Sequence, residues 1–132
     1  MSEPLTEADL LATEAFIKKR RPGPIGPGMI IAMMRHAGAP DPVAEYRFMA
    51  DRRFRFDYAW PRYLIALEVD GAQWLRQGGR HNRDSDRMKL NYAASLGWRV
   101  FRASHDMLRD DLLAVFELIA SMIKEIDALE GV

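Results

Sequence analysis

The sequence predicts an α/β fold whose elements follow the order α-α-β-β-β-α-β-α. Three neighbouring segments rich in aromatic and branched residues, within 44–70, are typical of consecutive β-strands. An apolar repeat with helical spacing at 86–97 then separates the third segment from a fourth, WRVFRA at 98–103. A helix between two strands predicts a right-handed crossover, and hence a parallel pair within a mixed four-stranded sheet flanked by helices.

Two helices are predicted before the first strand. Thr6 is a candidate N-terminal cap for a helix over 7–19. The stretch PGPIGPG at 22–28 then interrupts the chain as a semi-rigid linker. The segment 29–38 is typical of a second short helix that ends at its glycine, Gly38.

The last thirty residues predict one long C-terminal helix capped by Ser104. Its apolar residues form a continuous stripe typical of core packing: Leu112, Val115, Phe116, Ile119, Met122, Ile123 and Ile126. We therefore expect an N-terminal helix and linker over 1–28 and a single domain over 29–132.

The three central strands are predicted at 44–48, 52–60 and 63–70. Pro61 and Arg62 alone separate the last two, which is typical of a tight hairpin. Because such a turn fixes which residues face each other, it also predicts where the acidic side chains of this hairpin lie.

Three acids of the hairpin, Asp57, Glu68 and Asp70, are predicted to project from one face. A two-residue turn pairs Asp57 with Ala66 and Arg55 with Glu68, and side chains alternate across a strand. Asp57 and Glu68 are then diagonal neighbours, roughly 7 Å apart at the backbone. Crowded, partly buried carboxylates need a counter-ion, so the pattern favours a shared divalent cation. The alternative is a Glu68–Arg55 salt bridge with Asp70 simply ending the strand.

The same residues resemble the PD-(D/E)XK nuclease signature. An FD pair at 56–57, ten intervening residues and EVD at 68–70 give its order and spacing. The resemblance runs over 45–102 and is closest to the branch containing very-short-patch-repair endonucleases and their small relatives. Phe56 stands in place of the proline of the signature, and Asp70 stands in place of its lysine.

This resemblance implies a restriction-endonuclease-like αβββαβ core and a metal-dependent DNA endonuclease. It implies that Mg²⁺, with Mn²⁺ as a substitute, is held by Asp57, Glu68 and the backbone carbonyl of Val69. Asp70 is then a further ligand or orients a water. Glu45 resembles an acid that supports the metal in relatives, and a salt bridge with a neighbouring arginine is the alternative.

Since Asp70 replaces the lysine, a catalytic cation must come from elsewhere. Lys89 lies on the helix after the third strand and is our candidate. A surface pair with Asp86 at spacing i, i+3 is the alternative. His81, in the loop GGRH, is a candidate general base because imidazole titrates near neutrality. A solvated loop histidine is the competing interpretation.

The charges of the chain are segregated although its net charge is zero. Residues 45–102 carry twelve Lys and Arg against seven Asp and Glu, whereas 103–132 carry two against seven. A basic region beside an acid cluster suits a phosphodiester substrate, although a solvated mixed-charge surface has the same composition. Three arginines near the acid-bearing strand are the predicted phosphate contacts: Arg80, Arg83 and Arg87.

Composition narrows the remaining choices. The chain has 132 residues, of which 48% are hydrophobic and 29% charged, and it has no cysteine. No apolar run approaches the ~20 residues of a membrane span, so a cytoplasmic protein without a membrane partner fits best. The acid cluster beside a basic region predicts DNA as the partner. Cutting both DNA strands would require a homodimer or two sequential nicks. The alternatives are a nucleic-acid-binding module on a nuclease fold, with weak or no catalysis, and a structural partner whose acids are salt-bridged.

Overall fold

Four strands in one sheet and five α-helices make up the part of the chain that the structure describes. The computed structural model describes residues 4, 6–19, 25–70, 83–111 and 113–131. Within these ranges the strands are β1 (Val43–Arg47), β2 (Arg55–Trp60), β3 (Ile65–Asp70) and β4 (Arg99–Ser104). The helices are α1 (Glu7–Lys19), α2 (Pro27–Ala37), α3 (Arg83–Ser95), α4 (His105–Asp110) and α5 (Ala114–Leu129).

The chain divides into two compact units. One contains the sheet and α3 and runs from Pro42 to Ala103. The other combines the residues up to Asp41 with those from Ser104 onward. Residues 22–24 of the predicted linker lie outside the described residues, and its last two residues, Pro27 and Gly28, begin α2. The predicted division at residue 28 stays a prediction.

The sheet is mixed and has the strand order β1-β2-β3-β4, which confirms the predicted four-stranded mixed sheet. The β1–β2 and β2–β3 pairs are antiparallel. Because the sheet is mixed, its remaining pair, β3 with β4, is the parallel one. The C-terminal ends of β3 and β4 therefore lie at the same end of the sheet.

The predicted two-residue turn between β2 and β3 is wrong. Pro61–Tyr63 forms a 3₁₀ turn, and Leu64 adopts a left-handed conformation with φ 54°. This longer connection pairs Tyr58 with Leu67 and Trp60 with Ile65, a shift of two residues from the predicted register. A shift of two preserves the face of every side chain, because side chains alternate with a period of two.

The core of the sheet unit combines aromatic rings with small alanine side chains. Buried Phe56, Ala59, Ala66 and Ala93 form its centre. Phe56 stacks on Phe48 with ring centroids 4.2 Å apart. Because Ala93 belongs to this cluster, α3 is fixed against the sheet. The helix begins three residues before its predicted start and ends ahead of Gly97, whose φ of 85° explains the predicted stop.

In the other unit the predicted caps are confirmed, but the long C-terminal helix is wrong. The amide of Asp9 donates to Oγ1 of Thr6 at 3.1 Å, and the amide of Met107 donates to Oγ of Ser104 at 3.0 Å. Asp111, with φ −138° and ψ 83°, separates α4 from α5. Aspartate competes with helical backbone bonds through its own short side chain, which explains a break at this position.

The stripe predicted for core packing is largely carried by α5. Its buried residues are Val115, Phe116, Ile119, Ala120 and Ile123, whereas Leu112 lies outside the described residues. Helix α2 ends at Gly38, as predicted, with a left-handed φ of 92°. Among the described helices, none combines the length and apolarity that crossing a membrane requires.

Candidate active site

Two carboxylates lie side by side where strands β2 and β3 separate. The pairing of the two strands ends at Tyr58 and Leu67. One residue further, the amide of Asp57 donates to Oε2 of Glu68 at 3.0 Å, and the amide of Val69 donates to Oδ2 of Asp57 at 2.8 Å. Each carboxylate thus accepts a backbone N–H of the opposite strand. Asp57 is therefore directly opposite Glu68, closer than the predicted diagonal arrangement and without the predicted Arg55–Glu68 pair.

Lys89 reaches this carboxylate pair from α3. It lies four residues before Ala93 and so on the same face of the helix, and Ala93 is packed into the aromatic cluster. The Lys89 ammonium contacts Oε1 of Glu68 and lies 5.5 Å from the centroid of the Phe56 ring. Both side chains of this ion pair are 15% exposed. The alternative pairing of Lys89 with Asp86 is therefore wrong.

A cavity of about 170 Å³ joins these groups. Its lining residues come from β2, β3, α3 and β4: Asp57, Glu68, Asp70, Asp86, Lys89, Leu90 and Arg102. The structure thus brings the three predicted acids to one cavity. With every ionisable group charged, four acidic and two basic side chains leave a formal charge of −2. A divalent cation would balance that charge.

Asp70 has a different partner from the other two acids. Its Oδ1 accepts a hydrogen bond from Arg102 at 3.0 Å, with the two side chains 41% and 52% exposed. This hydrogen bond is the largest cause of a raised pKa of Arg102, and the charges of nearby acids add to the effect. Among the described residues, no group of three or more acidic or histidine side chains is placed to hold one metal ion. Asp70 therefore faces the cavity without joining Asp57 and Glu68.

The surroundings of Glu68 change its pKa in both directions. Burial raises its pKa above the ordinary 4.5, and the charge of Asp57 adds to this effect. The hydrogen bonds from Lys89 and from the Asp57 amide lower the pKa in opposition. Because desolvation is the larger cause, the folded protein favours protonated Glu68 more than an unfolded chain does.

The donor set fits a hard divalent cation. Mg²⁺ is commonly held by one or two carboxylates, with water and substrate phosphate completing its octahedron. Asp57 and Glu68 supply two neighbouring carboxylates. No hydrogen bond from the described residues reaches Oδ1 of Asp57, which leaves a carboxylate oxygen for a metal ion.

Glu45 does not line the cavity. It is exposed in β1 and has a φ of 51°, at the register position opposite Asp57. Burial raises the pKa of Tyr58, and the charges of Asp57 and Glu45 add to that increase. The neighbouring arginine of β1, Arg47, donates to backbone carbonyl groups instead of to Glu45.

The remaining predicted site residues stay predictions. Arg80 and His81 lie outside the described residues, as does the side chain of Arg83, although its backbone begins α3. Arg87 forms an exposed ion pair with Asp84 at 2.8 Å. This position does not test the prediction that Arg87 contacts phosphate.

Two charged residues that line the cavity, Asp86 and Arg102, were not predicted as members of the site. Arg102 was detectable in principle, because parallel pairing of β3 with β4 brings the far ends of these strands together. Comparison of the chain with models of protein families, with curated proteins and with solved structures finds no match. Function is therefore argued from the geometry of this cavity.

Proposed function

We propose that the chain is a metal-dependent DNA endonuclease with a restriction-endonuclease-like core, which hydrolyses phosphodiester bonds with Mg²⁺ or Mn²⁺. One observation carries the proposal. Two carboxylates on adjacent strands share a cavity with a lysine that contacts one of them. The strand and helix order of the sheet unit, β-β-β-α-β, supports the same class.

In this proposal Asp57 and Glu68 hold the metal ion, and the carbonyl of Val69 completes the protein ligands by resemblance to the nuclease family. When bound, Mg²⁺ supplies Lewis-acid polarisation of the phosphate and acidifies water. Glu68 must lose its proton to act as a ligand. The nearby Lys89 ammonium favours that loss, because it lowers the pKa of Glu68 against the effect of burial.

Lys89 would stabilise the phosphate during hydrolysis. The oxygen of a water bonds to phosphorus while the bond from phosphorus to the leaving sugar oxygen breaks, and negative charge grows on the remaining phosphate oxygens. An ammonium has three N–H donors, and the two that do not contact Glu68 are available to those oxygens. A preorganised donor of this kind contributes about 3 kcal/mol to catalysis.

The proton of the attacking water must pass to a base, because the charged Lys89 cannot accept it. Asp86 lines the cavity and has no hydrogen-bond or ion-pair partner among the described residues. It is therefore our candidate for this acceptor. The leaving sugar oxygen takes up a proton from solvent, so the hydrolysis is balanced.

The test is cleavage of supercoiled plasmid DNA with Mg²⁺ or Mn²⁺. Wild-type protein should convert the plasmid to nicked or linear forms, and Asp57→Asn should abolish this conversion while keeping an acceptor for the Val69 amide. Asp84→Asn is the matched control, because Asp84 is 93% exposed and lies outside the cavity. Metal-independent cleavage, or an active Asp57→Asn protein, would refute the proposal.

A binding module without catalysis is the second candidate, because Asp70 occupies the position of the signature lysine. A gel-shift assay in Ca²⁺ measures DNA binding without requiring hydrolysis. Binding in Ca²⁺ combined with no cleavage in Mg²⁺ or Mn²⁺ would support the binding module over the endonuclease. Cleavage that depends on Asp57 would support the endonuclease.

A further inference from the structure

A strongly basic hairpin connects β1 to β2. From Arg47 to Arg55 the chain carries four arginines and one aspartate, a formal charge of +3 over nine residues. All four arginines are exposed: Arg47, Arg52, Arg53 and Arg55. Such a density of guanidinium groups on one short segment is typical of a surface that meets a polyanion.

Two of these arginines hold the hairpin in shape. Arg47 donates from Nε to the carbonyl of Arg52 at 2.7 Å and from a terminal nitrogen to the carbonyl of Ala50 at 3.1 Å. Arg52 donates to the hydroxyl of Tyr92 at 3.0 Å and lies 5.1 Å from the centroid of its ring. Since Tyr92 belongs to α3, the hairpin is tied to the helix that carries Lys89.

The other two, Arg53 and Arg55, have no side-chain partner among the described residues. Arg55 is the first residue of β2 and lies two residues before Asp57. The side chains of Arg55 and Asp57 therefore project from the same face of the strand, about 6.6 Å apart along it. The unpaired guanidinium of Arg55 is thus the next side chain on this face of β2 from the carboxylate of Asp57.

We propose that Arg53 and Arg55 form a surface that binds the DNA backbone beside the phosphate to be cut. The identity of the ligand rests on the proposed endonuclease function, whereas the surface itself rests on exposure, charge and the absence of partners. Guanidinium groups bind phosphate through paired N–H donors. Because Arg47 and Arg52 already order the hairpin, little further backbone ordering accompanies binding.

Arg99 provides a matched control for Arg55. Each is the exposed first residue of a strand, and neither has a side-chain partner among the described residues. Arg99 lies at the opposite end of the sheet from the cavity, where its amide donates to the carbonyl of Leu64 at 2.9 Å. Loss of positive charge alone would affect both positions alike, whereas the proposed surface includes Arg55 and excludes Arg99.

The experiment measures affinity for a labelled duplex by fluorescence anisotropy over a series of salt concentrations, with Ca²⁺ replacing Mg²⁺. Arg53→Ala and Arg55→Ala should each weaken binding and reduce the slope of log affinity against log salt by about 0.9. The double variant should lose about twice that slope. Arg99→Ala should match wild type. Thermal unfolding of each variant verifies that the fold is retained.

The outcomes separate this surface from the proposed function. If wild type binds and cuts DNA but the double variant keeps the wild-type salt slope, the surface is wrong and the endonuclease stands. If wild type neither binds nor cuts DNA, both are wrong. Equal losses in Arg55→Ala and Arg99→Ala would show a general charge effect and would also overturn the surface.

Discussion

The cavity contains two ion pairs that differ in exposure. Each joins a carboxylate of β3 to a cation on a later element. In the Glu68–Lys89 pair both side chains are 15% exposed, whereas in the Asp70–Arg102 pair they are 41% and 52% exposed. Glu68 and Asp70 are two residues apart on one strand, so the difference arises from what covers them. Helix α3 covers the first pair, and water reaches the second.

This difference predicts which of the two pairs is more sensitive to an ion that enters the cavity. Removing one partner of a desolvated pair leaves a charge without compensation, which is costly. An exposed pair is screened by water and contributes about 0–1 kcal/mol. A metal ion or a phosphate that enters the cavity should therefore change the energetics of Glu68 and Lys89 far more than those of Asp70 and Arg102.

The largest expected effect distinguishes the carboxylate of Glu68 from that of Asp70. Glu68→Gln should lower the single-turnover cleavage rate by about 10³-fold or more, because it removes a proposed metal ligand. The glutamine keeps an acceptor for the amide of Asp57. Asp70→Asn should lower the rate by about tenfold or less, since its pair is exposed. Equal losses in the two variants would return Asp70 to the role of a third ligand.

The two cations provide the next comparison. Lys89→Met should lower the cleavage rate by about 10²–10³-fold through loss of a preorganised donor, with little change in DNA affinity. Arg102→Met should have a smaller effect on the rate. A profile of rate against pH tests the role of Lys89. If Lys89 serves only to ionise Glu68, the rate of Lys89→Met will recover as pH rises, whereas loss of a phosphate contact will persist at high pH.

Much of this contrast was predictable from the hairpin. The face shared by Asp57, Glu68 and Asp70 follows from alternation along the strands, and it survives the error in register because the shift is an even number of residues. The register itself was not predictable from the Pro61-Arg62 pair. It depends on Leu64 adopting a left-handed conformation. A leucine in the sequence does not predict that conformation, which glycine adopts far more readily.

The partners of the acids depend on contacts between elements distant in sequence. Lys89 has a nearby acid, Asp86, that a local rule favours. The packing of Ala93 against the sheet directs Lys89 to Glu68 instead. Arg102 lies 32 residues beyond Asp70, so its selection over other arginines required the parallel pairing to be combined with a register. Local patterns therefore identified the acids and named Lys89 as a candidate cation, but they did not identify Arg102 as the partner of Asp70.

The third prediction uses pH to sharpen the contrast. Between the ordinary pKa of Glu68 and its raised pKa in the folded protein, the folded protein holds a proton that the unfolded chain has already lost. Without metal, this contribution to stability is fully present below the ordinary value of 4.5 and is lost as pH rises through the folded pKa. Thermal unfolding of wild type, compared with Glu68→Gln across this window, should show the loss in wild type only.

Added Mn²⁺ should stabilise wild type increasingly as pH rises, because proton and metal compete for Glu68. A wild-type curve parallel to that of Glu68→Gln would contradict the assignment.

The smallest expected effect concerns the coupling between Asp70 and Arg102. A double-mutant cycle with Asp70→Asn and Arg102→Met, measured by denaturant unfolding without metal, should give a coupling free energy of about 1 kcal/mol or less. The matching cycle with Glu68→Gln and Lys89→Met should give a larger value, because water screens that pair less. High salt should reduce the first coupling more than the second. A first coupling as large as the second would show that α3 does not create the difference, and the two pairs would then have to be treated as one network around the cavity.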